Sequence, residues 1–422
     1  MTGRRGALAA AAVLLAAFAV VVAVGTPWEV LPEPPGGRTA IDPTAGLSAE
    51  QLDRAEAFAA AIRPASLASL LLGLAVSAGL GLTRLGARLV QGLPAPRRGR
   101  WVWQVLLGVF ALAVIGRSAT LPLSAYGEVV RHRYGLSTRG WGLWARDVVV
   151  STAIDAALTA LGLVALVWLA RRASRAWWAV AAAGAAVLVV VGSFLWPVVM
   201  EPAFNDFRSM PAGQLRSDLL ALAEENGTPV QDVLVSDASR RTTALNAYVS
   251  GFGSTRRIVV YDTVLDRLPD EQIESIAAHE LGHVAADDVL TGTLLGALGG
   301  AGGVALLGWA LTSPRLLRRA GAQGPADPAV VPLALLLIAV GTLVSTPVQN
   351  LVSRQIEARA DVAALDLTGD PAAFIAMQRG LAGSNLSDPD PPAAWRWFFG
   401  SHPTTAERIA LAEDWARSER QP

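Results

Sequence analysis

The sequence predicts an all-α membrane protein, seven transmembrane helices carrying a small α/β unit. Three observations point there. The 422 residues are 52% hydrophobic and only 17% charged, against about 25% charged in an ordinary soluble chain. The apolar residues gather in seven runs long enough to cross a bilayer, which takes about 20 residues. Two polar stretches interrupt or follow these runs late in the chain, and there short β-branched runs mix with helical patterns.

The seven runs fall at 7–25, 65–83, 101–121, 148–170, 177–199, 289–312 and 328–349. The first follows Arg4 and Arg5 and resembles a secretory signal, but its apolar run exceeds the usual 7–15 residues, which favours a retained anchor. The sixth contains GALGGAGG (296–303), whose small residues suit close helix packing. Residues 1–200 thus form a five-span membrane domain, 201–288 a first polar segment, 289–349 the last two spans and 350–422 a second polar segment. Each polar segment is small for a domain, and together they make one unit held by the spans between them. Within the first, 212–226 reads as a helix stopped at Asn226-Gly227. Residues 232–237 and 257–265 read as strands, with Gly251 and Gly253 marking a turn between them. Pro269, Asp270 and Glu271 suit the first turn of a helix that runs on towards Asp287 and Asp288. Residues 29–46 and 384–392 read as loops or flexible linkers.

Net charge is zero, so nothing argues for a nucleic acid or a strongly acidic partner. The absence of cysteine excludes disulfides, thiolate metal sites and a cysteine nucleophile. The expected partners are the lipid bilayer and a peptide or membrane-protein substrate.

The chemistry concentrates at 279–283, HELGH. Residues i and i+4 share a helix face, so His279 and His283 can hold one zinc ion. Glu280 then stands beside the open coordination position, where it can take a proton from water. The plain alternative is an ordinary helix that happens to carry two of the chain's four histidines. A catalytic zinc needs a third protein ligand and keeps one position free. No cysteine is available, and His132 falls in a loop far up the chain. The better candidate is Glu357 in SRQIEARAD (353–361), on a helix continuing from the seventh span. Asp361, one turn later on the same face, can hydrogen-bond a ligand imidazole and fix its orientation. A solvated helix of mixed charges would carry the same residues. The cofactor expected is one zinc ion per chain.

These residues resemble the integral-membrane type I CAAX prenyl endopeptidases, a family of zinc peptidases. The likeness extends beyond HELGH. NAYVSGFGSTRRIVVYDTVLD (246–266), EPAFNDF (201–207), YGLSTRGWGLWARD (134–147) and SHPTTAERI (401–409) are each similar to segments of that family, and seven spans match its architecture. Simpler membrane zinc proteases of the heat-shock type share HExxH and the later Glu, but typically have fewer spans and lack the 134–147 segment. The resemblance implies a zincin-like catalytic unit with Glu280 as general base and acid, Glu357 as third ligand and Asp361 behind a ligand imidazole. It also implies that His402 and Arg408 face the scissile carbonyl or the peptide, and that Asn246 binds substrate backbone or supports the developing oxyanion. Preorganised donors of this kind stabilise the negative charge of a tetrahedral intermediate. The family's spans enclose an aqueous chamber, which Asp155 in the fourth span can line; Arg117, near the end of the third, suits snorkelling. Residues 256–262 (RRIVVYD) suit either an edge strand that pairs with an extended peptide or a buried strand.

An N-terminus inside the cell puts Arg4, Arg5 and the arginine-rich loops 84–100, 171–175 and 315–319 inside, which the positive-inside rule favours. That topology places both polar segments outside the cytoplasm, whereas the resemblance implies catalysis on the cytosolic face, so sidedness stays open. The composition suggests a bacterial cell membrane, and bacteria generally lack prenylated CAAX proteins. A broad-specificity quality-control protease is an alternative reading. A sensor or transporter that binds zinc without cleaving is another, though it would have no use for Glu280.

Overall fold

The computed structural model of the protein describes residues 2–34, 36–173, 175–199 and 205–419. Helices α1 (Thr2–Gly25), α2 (Ala49–Gly81), α3 (Arg84–Gly92), α4 (Arg100–Arg133), α5 (Trp141–Arg172) and α6 (Trp177–Val199) precede the first polar segment. That segment supplies strands β1 (Phe207–Ser209), β2 (Asp232–Ser236), β3 (Ala247–Ser250) and β4 (Arg257–Tyr261). It also supplies helices α7 (Gln214–Glu225), α8 (Asp262–Leu265) and α9 (Asp270–Ala285). Then come α10 (Asp288–Ala310), α11 (Pro314–Ala320), α12 (Val331–Thr368), α13 (Pro371–Asn385), α14 (Ala393–Phe399) and α15 (Thr405–Glu419).

Among the described residues, seven helices are long and apolar enough to cross a membrane: α1, α2, α4, α5, α6, α10 and α12. Backbone that enters lipid must pair within its own helix, so apolar runs of this length fold as helices. Several outrun the expected spans. α2 starts at Ala49, where Ser48 and Gln51 close a capping box. α4 continues to Arg133, so His132 sits in its last turn and not in a loop. α12 runs 38 residues, roughly 57 Å, and carries the seventh span straight into the catalytic unit. The GALGGAGG run is the seam of α10: Gly299 and Gly302 face Phe18 and Leu15 of α1, while Gly296 and Gly300 face Val189 of α6. Missing side chains on these faces let α10 seat closely between two neighbours.

A separate core lies beyond the spans. Leu219, Val233, Ile258, Val260 and Ile273 from the first polar segment bury against Leu365, Phe374, Met377 and Ala412 from the second. Each of these side chains apart from Ala412 contributes about 1.5–3 kcal/mol on burial, and the two segments bury their apolar faces against each other. The sheet order is β1-β2-β4-β3, with β2 and β4 parallel and the outer pairs antiparallel. β4 is therefore interior, which corrects the edge-strand reading of 256–262. Its run Ile258, Val259, Val260 is fully buried, the pattern of a strand covered on both faces. Residues 262–265, expected to prolong that strand, turn into α8. There the Asp262 carboxylate accepts from the backbone N–H of Ser239 at 2.8 Å and of Thr263 at 2.9 Å, which ends the ladder. The chain turns from β3 towards β4 at Gly251, with φ +89°; a Cβ there would strike the Thr255 carbonyl.

The 29–46 segment is tied down and not a free linker: Leu31 joins the catalytic core, and Thr39 N donates to Asp414 Oδ1 at 2.8 Å. The loop after α4 also docks on this unit, through a β-bridge between Ser137 and Thr242. Arg117, expected to snorkel, turns instead to α5, where its Nε donates to Thr152 Oγ1 at 3.1 Å. Asp155 is exposed on α5, on the face that carries Asp147 and Ser151. Of the EPAFNDF segment, residues 201–204 lie outside the described residues.

Candidate metal centre

α9 starts after Pro269 with Asp270 and Glu271 at its positive end, where acids are favoured. Ile273, Ile276, Ala277 and Leu281 bury its apolar side. Gly282 lets α12 approach closely: a Cβ there would lie 3.0 Å from the Ala363 Cβ and 3.3 Å from the Ala360 carbonyl oxygen. This close approach brings Glu357 over the two histidines.

The donor atoms of His279, His283 and Glu357 converge within 4.8 Å of one another. His279 Nε2 lies 3.2 Å from His283 Nε2 and 3.3 Å from Glu357 Oε2, and His283 Nε2 lies 3.7 Å from Glu357 Oε1. Ligand atoms around a tetrahedral zinc with bonds of about 2.0–2.1 Å stand roughly 3.3 Å apart, so this donor set fits such an ion. The far ring nitrogens are braced. Nδ1 of His279 lies 2.9 Å from Asp361 Oδ1 and Nδ1 of His283 lies 2.9 Å from Asp288 Oδ2. A carboxylate on Nδ1 keeps the proton there and turns the Nε2 lone pair towards the metal position.

Asp361 is fully buried and is answered by Arg408, whose Nε donates to Oδ2 at 2.8 Å and whose Nη2 donates to Oδ1. Arg408, expected to face the peptide, commits both of these donors to Asp361. Burial opposes its charge, but Asp361 outweighs burial and raises the guanidinium still further. Asp288 is held in the same way by Nη2 of Arg359. The Asp288–Arg359 pair is not legible in the sequence. Its one signal is an acid five residues after His283, at the end of the HELGH helix.

Glu280 faces a cavity of about 750 Å³ together with His279, His283, Glu357, His402 and Asn246. Burial pushes the Glu280 carboxyl above the ordinary carboxylate range, against the pull of His279 and His283, which is the direction a group that takes and returns a proton needs. Burial also works against an imidazolium at His279, but Asp361 and Glu357 outweigh it and push His279 up to about 9 in the metal-free protein. His402 stands on the cavity wall with Nε2 3.3 Å from Glu357 Oε1 and its ring largely exposed. Asn246 is exposed at the start of β3, the outer strand of the sheet, and Asn246, Ala247 and Tyr248 line the cavity.

The chain matches the family model of peptidase family M48 over residues 209–416. It matches that of the CAAX prenyl protease N-terminal region, five membrane helices, over 44–206, a stretch that begins after α1. It is 37% identical over 309 residues to the uncharacterized metalloprotease YhfN of Bacillus subtilis, covering 72% of either chain. It is 32% identical over 239 residues to a CAAX prenyl protease 1 homolog of Oryza sativa, covering 54% of this chain and 53% of that one. The crystal structure of S. mikatae Ste24p shares the fold, with a TM-score of 0.76 at 22% identity over 96% of this chain and 99% of the other. The chain therefore belongs to peptidase family M48 and is a multi-pass membrane metalloendopeptidase of the CAAX prenyl protease family.

Proposed function

We propose that the metal is zinc, held by His279, His283 and Glu357, and that Glu280 is the general base and acid for peptide hydrolysis. When bound, zinc supplies a Lewis acid that polarises the scissile carbonyl and brings water near a pKa of about 7. Glu280, one residue from a ligand and facing the same cavity, takes the proton from the attacking water and returns it to the leaving amine. His402, exposed on the cavity wall beside Glu357, donates to the oxygen of the tetrahedral intermediate. Arg408 acts through Asp361 and His279, and it lines the same cavity, where the peptide lies. β3 is an outer strand that borders the cavity, so an extended peptide can run alongside it, and Asn246, which lines the cavity just before β3, meets the peptide backbone there. The substrate is a peptide or membrane-protein segment that enters this cavity.

The single observation that carries this reading is the convergence of three donor atoms beside a partly buried acid, Glu280, inside one cavity. The test is Glu280→Gln in the purified full-length protein, with metal content measured alongside cleavage of an unstructured peptide. The variant should keep its zinc and lose cleavage by at least about a hundredfold. Chelation should silence the parent, and added zinc should restore it. Equal cleavage by Glu280→Gln would remove the mechanism.

A further inference from the structure

The loop after α13, together with the start of α14, walls the catalytic cavity. Ser387, Asp388, Pro391 and Trp395 line the same cavity as His279 and Glu357. Other walls are rooted in the catalytic core, α9 through Ile276, α12 through Leu365, α13 through Phe374 and α15 through Ala412. This one is not. Only Pro389 among residues 387–395 is buried. α14 buries none of its residues, although four of its seven are aromatic, and Trp397 stays 59% exposed.

The two ends of this wall are fixed. Leu386 is buried, with φ 52°. At the far end α12 holds the Phe398 carbonyl through Asn350 Nδ2 at 2.6 Å and the Gly400 carbonyl through Arg354. The middle has no such backbone support. Pro389, Pro391 and Pro392 have no N–H to donate. Among the described residues, the backbone of 387–395 reaches elements outside α14 only where Ser387 N donates to the Ala382 carbonyl at 3.0 Å. Side chains tie the middle to the membrane domain instead. Arg63 of α2 pairs with Asp388, Nη2 to Oδ2 at 2.8 Å, and its guanidinium lies 5.4 Å from the centre of the Trp395 ring. Partly exposed ties of this kind are weak, and segments with few buried apolar contacts open first. Behind the wall, the side chains of His279 and Glu357 are only 9% and 12% exposed. A peptide chain is broader than the water that reaches these groups, so its entry needs a wall to move.

We propose that residues 387–395 form a lid over the catalytic cavity, latched by Arg63 against Asp388 and Trp395, which lifts to admit a peptide. The inference rests on the reading of this cavity as the peptide site. The three prolines stiffen the lid, so it moves as a unit between its fixed ends. Closing it over a bound peptide excludes water from the metal position. Because Arg63 stands on α2, the lid shuts against the membrane domain and not against the catalytic unit that carries it.

The chain has no cysteine, so introduced thiols are the only ones in the full-length protein. Arg63→Cys and Asp388→Cys are combined and joined by a short methanethiosulfonate cross-linker. The cross-linked protein should keep its metal and lose cleavage of an unstructured peptide, and a phosphine reductant should restore it. Each single-cysteine variant, treated in the same way, should go on cleaving. Hydrogen exchange is the second arm. Arg63→Gln should speed exchange in 387–399 about tenfold, the size expected for an ion pair and a cation–π contact together, and should leave α13 unchanged. Cleavage that persists in the cross-linked protein overturns the lid. Exchange unchanged by Arg63→Gln overturns the latch. Absence of cleavage in the parent would instead remove the reading of the cavity, and the exchange arm tests the lid in that case too.

Discussion

Asp288 lies past a kink in the chain and yet reaches back to His283, its Oδ2 2.9 Å from Nδ1. The kink is Asp287, one of few non-glycine residues with positive φ, at 52°. It ends α9 and starts α10, and so returns the next carboxylate to the helix just left. Asp361 does the same for His279 from α12. Both candidate ligand imidazoles are thus oriented by acids, and each acid is held by its own arginine. Asp288→Asn should weaken metal binding about 10–100-fold, measured by competition with a chelator of known affinity. Excess zinc should recover peptidase activity. Unchanged affinity would show that Asp288 serves only as an acid in the first turn of α10.

Protons compete with the metal at His279. In the metal-free protein this group is raised to about 9, above an ordinary histidine near 6.5. At neutral pH the metal must displace a proton, so affinity should rise about tenfold per pH unit towards 9 and level off above it. Folding has the opposite sign. A raised folded-state value means that the His279 ion pair stabilises the metal-free protein fully below about pH 6.5, and that this stabilisation is lost as pH rises through about 9. Metal affinity and the thermal midpoint of the metal-free protein, each followed from pH 6 to 9, check the two signs separately.

Arg408 is the counter-ion of a carboxylate with no access to water. Removing one partner of a buried pair costs about 3–5 kcal/mol, because the other charge is left alone. Arg408→Leu should therefore lower the thermal midpoint and empty the metal site. Adding Asp361→Asn should recover part of the midpoint while leaving the metal weakly bound. Arg408→Lys keeps the charge but cannot reproduce the two-point grip on Asp361, and should fall between parent and Leu variant. If the double variant is no more stable than Arg408→Leu, the pair is not the source of the loss.

The spans and HELGH were legible because each is a local pattern: length and apolarity for one, the i, i+4 spacing for the other. Glu357 was legible because the seventh span runs on as a helix without a break. What the sequence hid depends on contacts far apart in the chain. β1 and β3 have three and four residues, too few for alternation to register. Nothing local tells that β4 is flanked on both sides, so its residues fit an edge strand as well as an interior one. Asp288 needed the backbone kink at Asp287, which no residue preference announces. Arg117 was read by its nearness to the end of a span, while its direction was decided by Thr152 on the next helix.

Gly282 touches neither metal nor substrate, yet it decides whether Glu357 can reach the histidines. A methyl group added there meets Ala363 at 3.0 Å and the Ala360 carbonyl at 3.3 Å, so α12 must retreat by a few tenths of an ångström. Overpacking of this kind costs about 1–3 kcal/mol, and metal sites tolerate displacements of only about 0.5 Å. Gly282→Ala should therefore weaken zinc binding while leaving all three ligands, both acids and both arginines in the sequence. Ala363→Gly removes the nearer obstacle on the facing helix. In combination with Gly282→Ala it should restore most of the lost affinity, at a small cost in helix stability from the new glycine. Zinc affinity across the four proteins of this cycle is the measurement. Purely additive losses would mean that the α9–α12 distance does not set the geometry of the site.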